Sequence, residues 1–235
     1  MKTLIIIPAY NEEENIARVT ENIINNFPMY DYVIINDCST DETEKICRDN
    51  NFNYVSLPIN LGIGGAVQCG YRYATDNDYD IAVQLDGDGQ HDPAFIEKII
   101  GPIIDGAADM VIGSRFIDKE GFQTSFMRRA GIVLISRVIR LCCGARVTDT
   151  TSGFRAVNRG LIRFFARHYA QDYPEPEAIV SAVLNGCRVT ETPVVVRERA
   201  GGVSSINTLR SVYYMFKVPL ALIVYRLSIK KRGER

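Results

Sequence analysis

The sequence predicts an α/β fold with a mostly parallel central sheet and helices on both faces, and three observations predict it. Runs such as Leu4-Ile5-Ile6-Ile7 and Tyr32-Val33-Ile34-Ile35 are apolar at nearly every position, the pattern of strands buried on both faces. Segments with helical spacing separate such runs, so strands and helices alternate through residue 113. Polar groups follow the strands at Tyr10-Asn11-Glu12, Asn36-Asp37 and Asp86-Gly87-Asp88, where a parallel sheet binds its ligands.

Pro8 closes the first strand. Asn11 is expected to cap a helix over roughly 12–26, with Ile16, Val19, Ile23 and Ile24 at helical spacing. The second strand turns at Asn36-Asp37-Cys38-Ser39 into a helix around 41–50 and a short strand at Tyr54-Val55-Ser56-Leu57. A helix over 65–75 leads to the strand Ile81-Ala82-Val83-Gln84-Leu85. Pro93 opens the next helix, which ends before Gly106, and Met110–Gly113 is a further strand. Beyond residue 114 the pattern loosens. Helices are expected over about 127–142 and from near Pro176, with a strand in Arg188–Arg197 and a mostly apolar stretch at 206–229. No linker rich in Pro, Gly or Ser divides the chain, so one domain over 1–205 is expected, followed by an amphipathic helical segment at 206–235.

The 235 residues are 46 % hydrophobic and 23 % charged, which suits one ordinary core. The net charge of -1 hides an asymmetry: residues 1–114 hold 6 Lys/Arg against 19 Asp/Glu, and residues 115–235 hold 21 against 9. These halves are either two solvated faces, or a cation-holding half beside one that meets phosphates or lipid headgroups. Six cysteines without CxxC spacing argue against zinc. The four-residue apolar run at the N-terminus is too short for a signal peptide, so a cytoplasmic chain with reduced cysteines is expected. No nucleic-acid partner is expected.

Asp86-Gly87-Asp88-Gly89-Gln90 puts two carboxylates and an amide oxygen on a glycine turn directly after a buried strand. Such oxygen ligands suit Mg²⁺ or Mn²⁺, which keep positions open for substrate phosphates; the alternative is an acidic surface turn. Gly62-Ile63-Gly64-Gly65 does not complete a dinucleotide fingerprint and reads as a close approach to a ligand or as close backbone packing.

Ile7-Pro8-Ala9-Tyr10-Asn11-Glu12, Asn36-Asp37-Cys38-Ser39-Thr40-Asp41 and Asp86-Gly87-Asp88-Gly89-Gln90-His91-Asp92-Pro93 together resemble glycosyltransferase family 2. Gly113-Ser114-Arg115 and Asp149-Thr150-Thr151-Ser152-Gly153-Phe154-Arg155 narrow the resemblance to its dolichyl-phosphate mannose synthase and polyprenyl-phosphate glycosyltransferase branch, over about residues 3–205. The resemblance implies a Rossmann-like GT-A fold, a nucleotide-sugar donor, inversion at the anomeric carbon and a divalent cation. It implies that Pro8, Tyr10, Glu12, Asp37 and Gly62 lie against the nucleoside and that Asp86 faces the sugar or ribose. Asp88 and Gln90 would hold the metal, and Arg199 would lie near the diphosphate, with Ser204 and Ser205 in the same loop. Asn36 stands where the family often has a second acid.

Residues 115–163 hold ten Arg/Lys against three acids. A lipid phosphate is already an anionic nucleophile, so it needs positioning and charge neutralisation, to which guanidinium groups are suited. The resemblance places Arg115 on a mobile acceptor loop over roughly 115–127, with Arg128 or Arg129 and Ser136 holding the acceptor phosphate. Asp86, Asp88 and Arg115 are thus the expected catalytic residues, and Arg155 is either a further cation or structural. Glu175 and Glu177 are either acids at a helix N-terminus or a base for a hydroxyl acceptor. His91 belongs beside the metal motif; His168 receives no role.

The apolar run Val218–Tyr225 is too short to span a bilayer, and Lys230-Lys231-Arg232 follow it. This segment is expected either to lie in a membrane interface or to dock on the protein's own core. A membrane surface and a small integral membrane protein are expected partners. The expected reaction moves a hexosyl unit from a nucleotide sugar to a polyprenyl phosphate at the inner face of a membrane. The alternatives are transfer to a growing cell-surface polysaccharide, a sugar nucleotidyltransferase, or an inactive binding module. Pro8-Ala9-Tyr10-Asn11-Glu12 lacks the glycine- and lysine-rich loop that a nucleotidyltransferase needs.

Overall fold

The computed structural model describes residues 1–118, 120–121, 126–197 and 217–228. Its centre is a seven-stranded sheet in the order β3-β2-β1-β4-β6-β5-β7. These strands are β1 (Thr3–Ala9), β2 (Asp31–Asn36), β3 (Tyr54–Ser56), β4 (Ile81–Gln84), β5 (Met110–Ser114), β6 (Arg155–Asn158) and β7 (Val189–Pro193). Six strands run the same way and β6 alone opposes them, pairing antiparallel with β4 on one side and β5 on the other.

Every residue of β1 is buried. Because strand side chains alternate between faces, Leu4 and Ile6 enter one core while Ile5 and Ile7 enter the other. The core around Ile5 and Ile7 is covered by α1 (Ile16–Asn26), α2 (Thr43–Asp49) and α4 (Ile96–Ile104). The opposite core is covered by α3 (Gly62–Asp76), α5 (Phe126–Cys143), α6 (Arg159–Phe165), α7 (Pro174–Leu184) and a terminal helix, α8, over 217–228. Val218 and Leu222 of α8 are fully buried there, while Leu220, Ile223, Val224 and Leu227 are exposed. One side of this helix therefore docks on the protein's own core, and the other presents an exposed apolar stripe. Residues 206–216 and the basic run Lys230-Lys231-Arg232 lie outside the described residues.

Three local expectations change. Asn11 does not cap the first helix, which starts at Ile16 after Asn15. Asn11 instead takes a left-handed backbone (φ 55°) and its side-chain oxygen accepts from the Thr40 amide at 2.8 Å, tying the loop after β1 to the loop after β2. α3 begins at Gly62 rather than Gly65, and α7 at Pro174 rather than Pro176. The pair β6–α6 has no counterpart in the sequence reading, because Arg155 interrupts what would otherwise be a short apolar run. Arg155 is nonetheless fully buried. Its guanidinium donates to the carbonyl of Ser152 and, at 3.1 Å, to that of Glu175, so backbone oxygens accept from the buried charge.

Candidate active site

The parallel register of β1, β2 and β4 brings their carboxyl ends to one edge. Asp86 follows the buried Leu85, and its Oδ1 accepts from Gln84 Nε2 at 3.3 Å. Its backbone N–H donates to His91 Nδ1 at 3.3 Å. That nitrogen is therefore an acceptor, and its 3.7 Å separation from Asp86 Oδ2 is no ion pair. His91 is held in turn by Phe154, on which it stacks at 5.1 Å and 16°. Asp88 Oδ1 accepts from the Gln90 amide at 3.0 Å, which closes the turn.

Beyond that turn, Gln90 and the segment after β7 are joined twice: the Arg197 amide donates to Gln90 O at 2.9 Å, and Gln90 Nε2 donates to Arg197 O at 3.2 Å. Val196 bridges both His91 and Gly121, so the start of the expected acceptor loop is attached to the acidic turn. Among the described residues no group of three His, Cys, Asp or Glu could cage a metal. The expected cation residues Asp86, Asp88 and Gln90 stand together on one turn and form no such cage by themselves.

The donor-side residues collect at the same edge. Pro8 and Tyr10 lie at the end of β1, Pro8 buried and Tyr10 46 % exposed. Asp37, buried, accepts from the Leu61 amide at 2.7 Å and so fixes the turn into α3, which Gly62 opens with a φ of 73°. Glu12 bonds through its amide to Thr43 Oγ1 at 2.8 Å and through its carboxylate to Asn15 Nδ2 at 3.0 Å. Asn36, at the position of the family's second acid, is buried and bonds Ser56 Oγ at 3.0 Å.

Arg115 follows β5 directly. Its Nε and one terminal nitrogen each reach the buried Asp149 carboxylate at 2.7 Å, and the same terminal nitrogen reaches Thr151 Oγ1 at 3.3 Å. Asp149 is itself oriented by Glu191 of β7, whose carboxylate accepts from the Thr148 and Asp149 amides, each at 2.8 Å. Arg129 donates to the Thr148 carbonyl at 3.2 Å and lies 3.5 Å over the Phe116 ring. Segment 149–153 thus touches both halves of the site, because Gly153 backs onto Asp86. A Cβ there would stand 2.7 Å from Asp86 Oδ2, so only glycine allows the approach.

The remaining expected residues disperse. Ser136 Oγ donates to Ile132 O within α5, and Arg128 is exposed. Arg199, Ser204 and Ser205 lie outside the described residues, as do 119 and 122–125 of the acceptor loop. Glu175 and Glu177 separate. Burial of the Glu175 carboxyl pushes its pKa up, Arg155 opposes the rise, and the Asp86 charge adds to it. Burial also raises Glu177, with Asp172 adding, and Glu177 lines a pocket beside α8. The roles of Asp149 and Gly153 were invisible to motif reading, although both stand in the quoted motif. Glu191 had no local signal.

A mostly parallel seven-stranded sheet with an acidic turn at its carboxyl edge is an α/β architecture of the kind that binds ligands at that edge. The chain matches the model for glycosyl transferase family 2 over residues 4–165 and belongs to that family; it is a glycosyltransferase. It is 33 % identical to the UDP-N-acetylglucosamine–dolichyl-phosphate N-acetylglucosaminyltransferase of Methanococcus voltae, across 98 % of this chain and 96 % of the relative. It is 26 % identical to the polyprenol monophosphomannose synthase of Mycolicibacterium smegmatis, across 92 % of this chain and 85 % of the relative. The solved glucosyl-3-phosphoglycerate synthase of Mycobacterium tuberculosis, in complex with Mn²⁺, uridine diphosphate and phosphoglyceric acid, superposes with a TM-score of 0.71 at 21 % identity. That superposition covers 96 % of this chain and 78 % of the other, and the shared architecture is the GT-A fold.

Proposed function

We propose that this glycosyltransferase moves a hexosyl unit from a nucleotide sugar to a polyprenyl phosphate, with inversion and with Mg²⁺ or Mn²⁺. The observation that supports this most is segment 149–153, which presents the acidic turn through Gly153 and Asp86 on one side and Arg115 through Asp149 on the other. A site that juxtaposes a cation-holding turn with guanidinium groups suits two phosphate-bearing substrates. The names of the relatives, which act on dolichyl or polyprenol phosphates, agree with it.

Asp88 and Gln90 would hold the cation, which when bound neutralises charge on the departing nucleoside diphosphate, and Asp86 would face the sugar or ribose. Asp37, Tyr10 and Glu12 line the nucleoside side. Arg115, kept in one orientation by Asp149, and Arg128 and Arg129 at the start of α5 would position the acceptor phosphate, whose oxygen is the nucleophile without a base. Ser136 and Arg199 belong to this acceptor and diphosphate reading. The exposed stripe Leu220, Ile223, Val224 and Leu227 recurs at helical spacing and suits an interfacial helix. Among the described residues no helix is long and apolar enough to cross a membrane. The reading places the protein peripherally at the cytoplasmic face of a membrane, with 1–205 as the catalytic domain and 206–235 as the membrane-facing segment.

The raised carboxyl of Glu175 beside Asp86 supports a second reading, in which it serves as base for a saccharide hydroxyl. One experiment separates them. Purified protein is incubated with labelled nucleotide sugars, Mn²⁺ and either undecaprenyl phosphate or soluble glycans. Label in the organic phase is expected. Label only in soluble glycan, with every common donor, overturns the lipid-phosphate reading in favour of the second.

A further inference from the structure

A pocket of about 450 Å³ opens on the α3, α7 and α8 side of the sheet and shares no lining residue with the acidic turn, the donor loops or the Arg115 cluster. Arg72 of α3, Arg167 and His168 after α6, Gln171, Glu177 of α7 and Tyr225 of α8 form its wall. Among the described residues, Arg72 spends only Nε in a hydrogen bond, donating to Ala166 O at 3.1 Å. Among the described residues, the exposed Arg167 and His168 spend no side-chain hydrogen bond; His168 only tilts against Phe164, ring centres 5.4 Å apart. The neighbouring Asp172 is taken by Lys217 at 3.1 Å, so Glu177 is the one acid on the wall among the described residues. Gln171 is oriented by its bond to Gln68 at 3.1 Å.

This is an uneven set. Two guanidinium groups and an imidazole line the pocket together with a carboxylate and a phenol. Guanidinium forks match phosphate oxygens, whereas a single carboxylate matches hydroxyl donors. The volume is that of a small polar ligand. We propose that this pocket binds a hydroxyl-bearing phosphate ester of the glycerol phosphate type, with Arg72, Arg167 and His168 on the phosphate and Glu177 on the hydroxyls. Such a group arrives either as a phospholipid headgroup, since Tyr225 belongs to the helix with the exposed apolar stripe, or as a free ester.

The full chain is titrated with sn-glycerol 3-phosphate by calorimetry, and sedimented with phosphatidylcholine vesicles with and without phosphatidylglycerol. The comparison is between wild type, the double variant Arg72→Gln/Arg167→Gln and the distant surface control Lys98→Gln. Losing two charge-assisted contacts weakens binding by roughly tenfold or more. That loss in both arms, sparing Lys98→Gln, establishes a phosphate-ester site open to either source; in the phosphatidylglycerol arm alone, it establishes a headgroup site. Absence of wild-type binding in both arms overturns the proposal, as does equal binding by the double variant or an equal loss in Lys98→Gln.

Discussion

Asp149 holds Arg115 through a fork of two 2.7 Å hydrogen bonds, one to Nε and one to a terminal nitrogen, and a third bond from the Arg115 amide at 3.1 Å. The carboxylate is fully buried and the guanidinium nearly so. An acceptor-side cation is thereby fixed in direction before any substrate arrives. Asp149→Asn removes the charge and leaves a buried guanidinium half-satisfied, at a cost on the order of 3 kcal/mol. For a chain of this size that lowers Tm by roughly 6–12 °C. Transfer at a temperature where the variant is still folded should also fall, which a melting curve and a transfer assay on one sample will show.

Gly153→Ala tests the contact between the two halves. Its Cβ would meet Asp86 Oδ2 at 2.7 Å, so the carboxylate must move. Since Asp86 sits at the site's solvent-facing edge, the protein can fold with it displaced. A large fall in transfer with a nearly unchanged melting temperature is expected.

Asp88→Ala should abolish transfer while the fold is kept, because a turn with one carboxylate holds a divalent cation weakly. Treatment of the wild type with a chelator should do the same, and added Mn²⁺ or Mg²⁺ should restore it. Direct Mn²⁺ titration gives a reading independent of turnover.

Glu175 makes stability depend on pH in a stated direction. Its folded pKa lies above the ordinary value of 4.5, chiefly through burial. Between that value and the raised one the folded state holds more proton than the unfolded state, so stability falls as pH rises through this window. Glu175→Gln should flatten the fall and be the more stable protein at neutral pH, as denaturant titrations across pH will measure. If the acceptor is a lipid phosphate, the same variant and Glu177→Ala keep most of their transfer activity.

The two sides of α8 should respond differently. Leu222→Ala empties a fully buried position and costs about 2–5 kcal/mol. Val224→Asp, on the exposed stripe, should leave stability within about 0.5 kcal/mol. It should nonetheless weaken vesicle sedimentation several-fold; unchanged sedimentation would remove α8 from the membrane reading.

The amino-acid sequence alone determined the parallel part of the sheet and the acidic turn. Continuous apolar runs such as Leu4–Ile7 have no stable place except between two layers, and Asp86-Gly87-Asp88 carries its chemistry within three residues. The family pattern also lies in short contiguous motifs, and it matched over residues 4–165. What only the tertiary structure decided are the relationships between distant residues. β6 escaped because its strand is built around a buried charge whose partners, the carbonyls of Ser152 and Glu175, are set by the fold. Asn11 looked like a cap because capping preference is local, while its actual partner, Thr40, comes from the next strand's loop. Glu175 and Glu177, two positions apart, have different surroundings, and only Glu177 lines the pocket beside α8, because helical geometry turns them about 200° from one another. Asp149, Gly153 and Glu191 join the acidic turn to Arg115 by contacts across 34–67 residues, which no local spacing encodes.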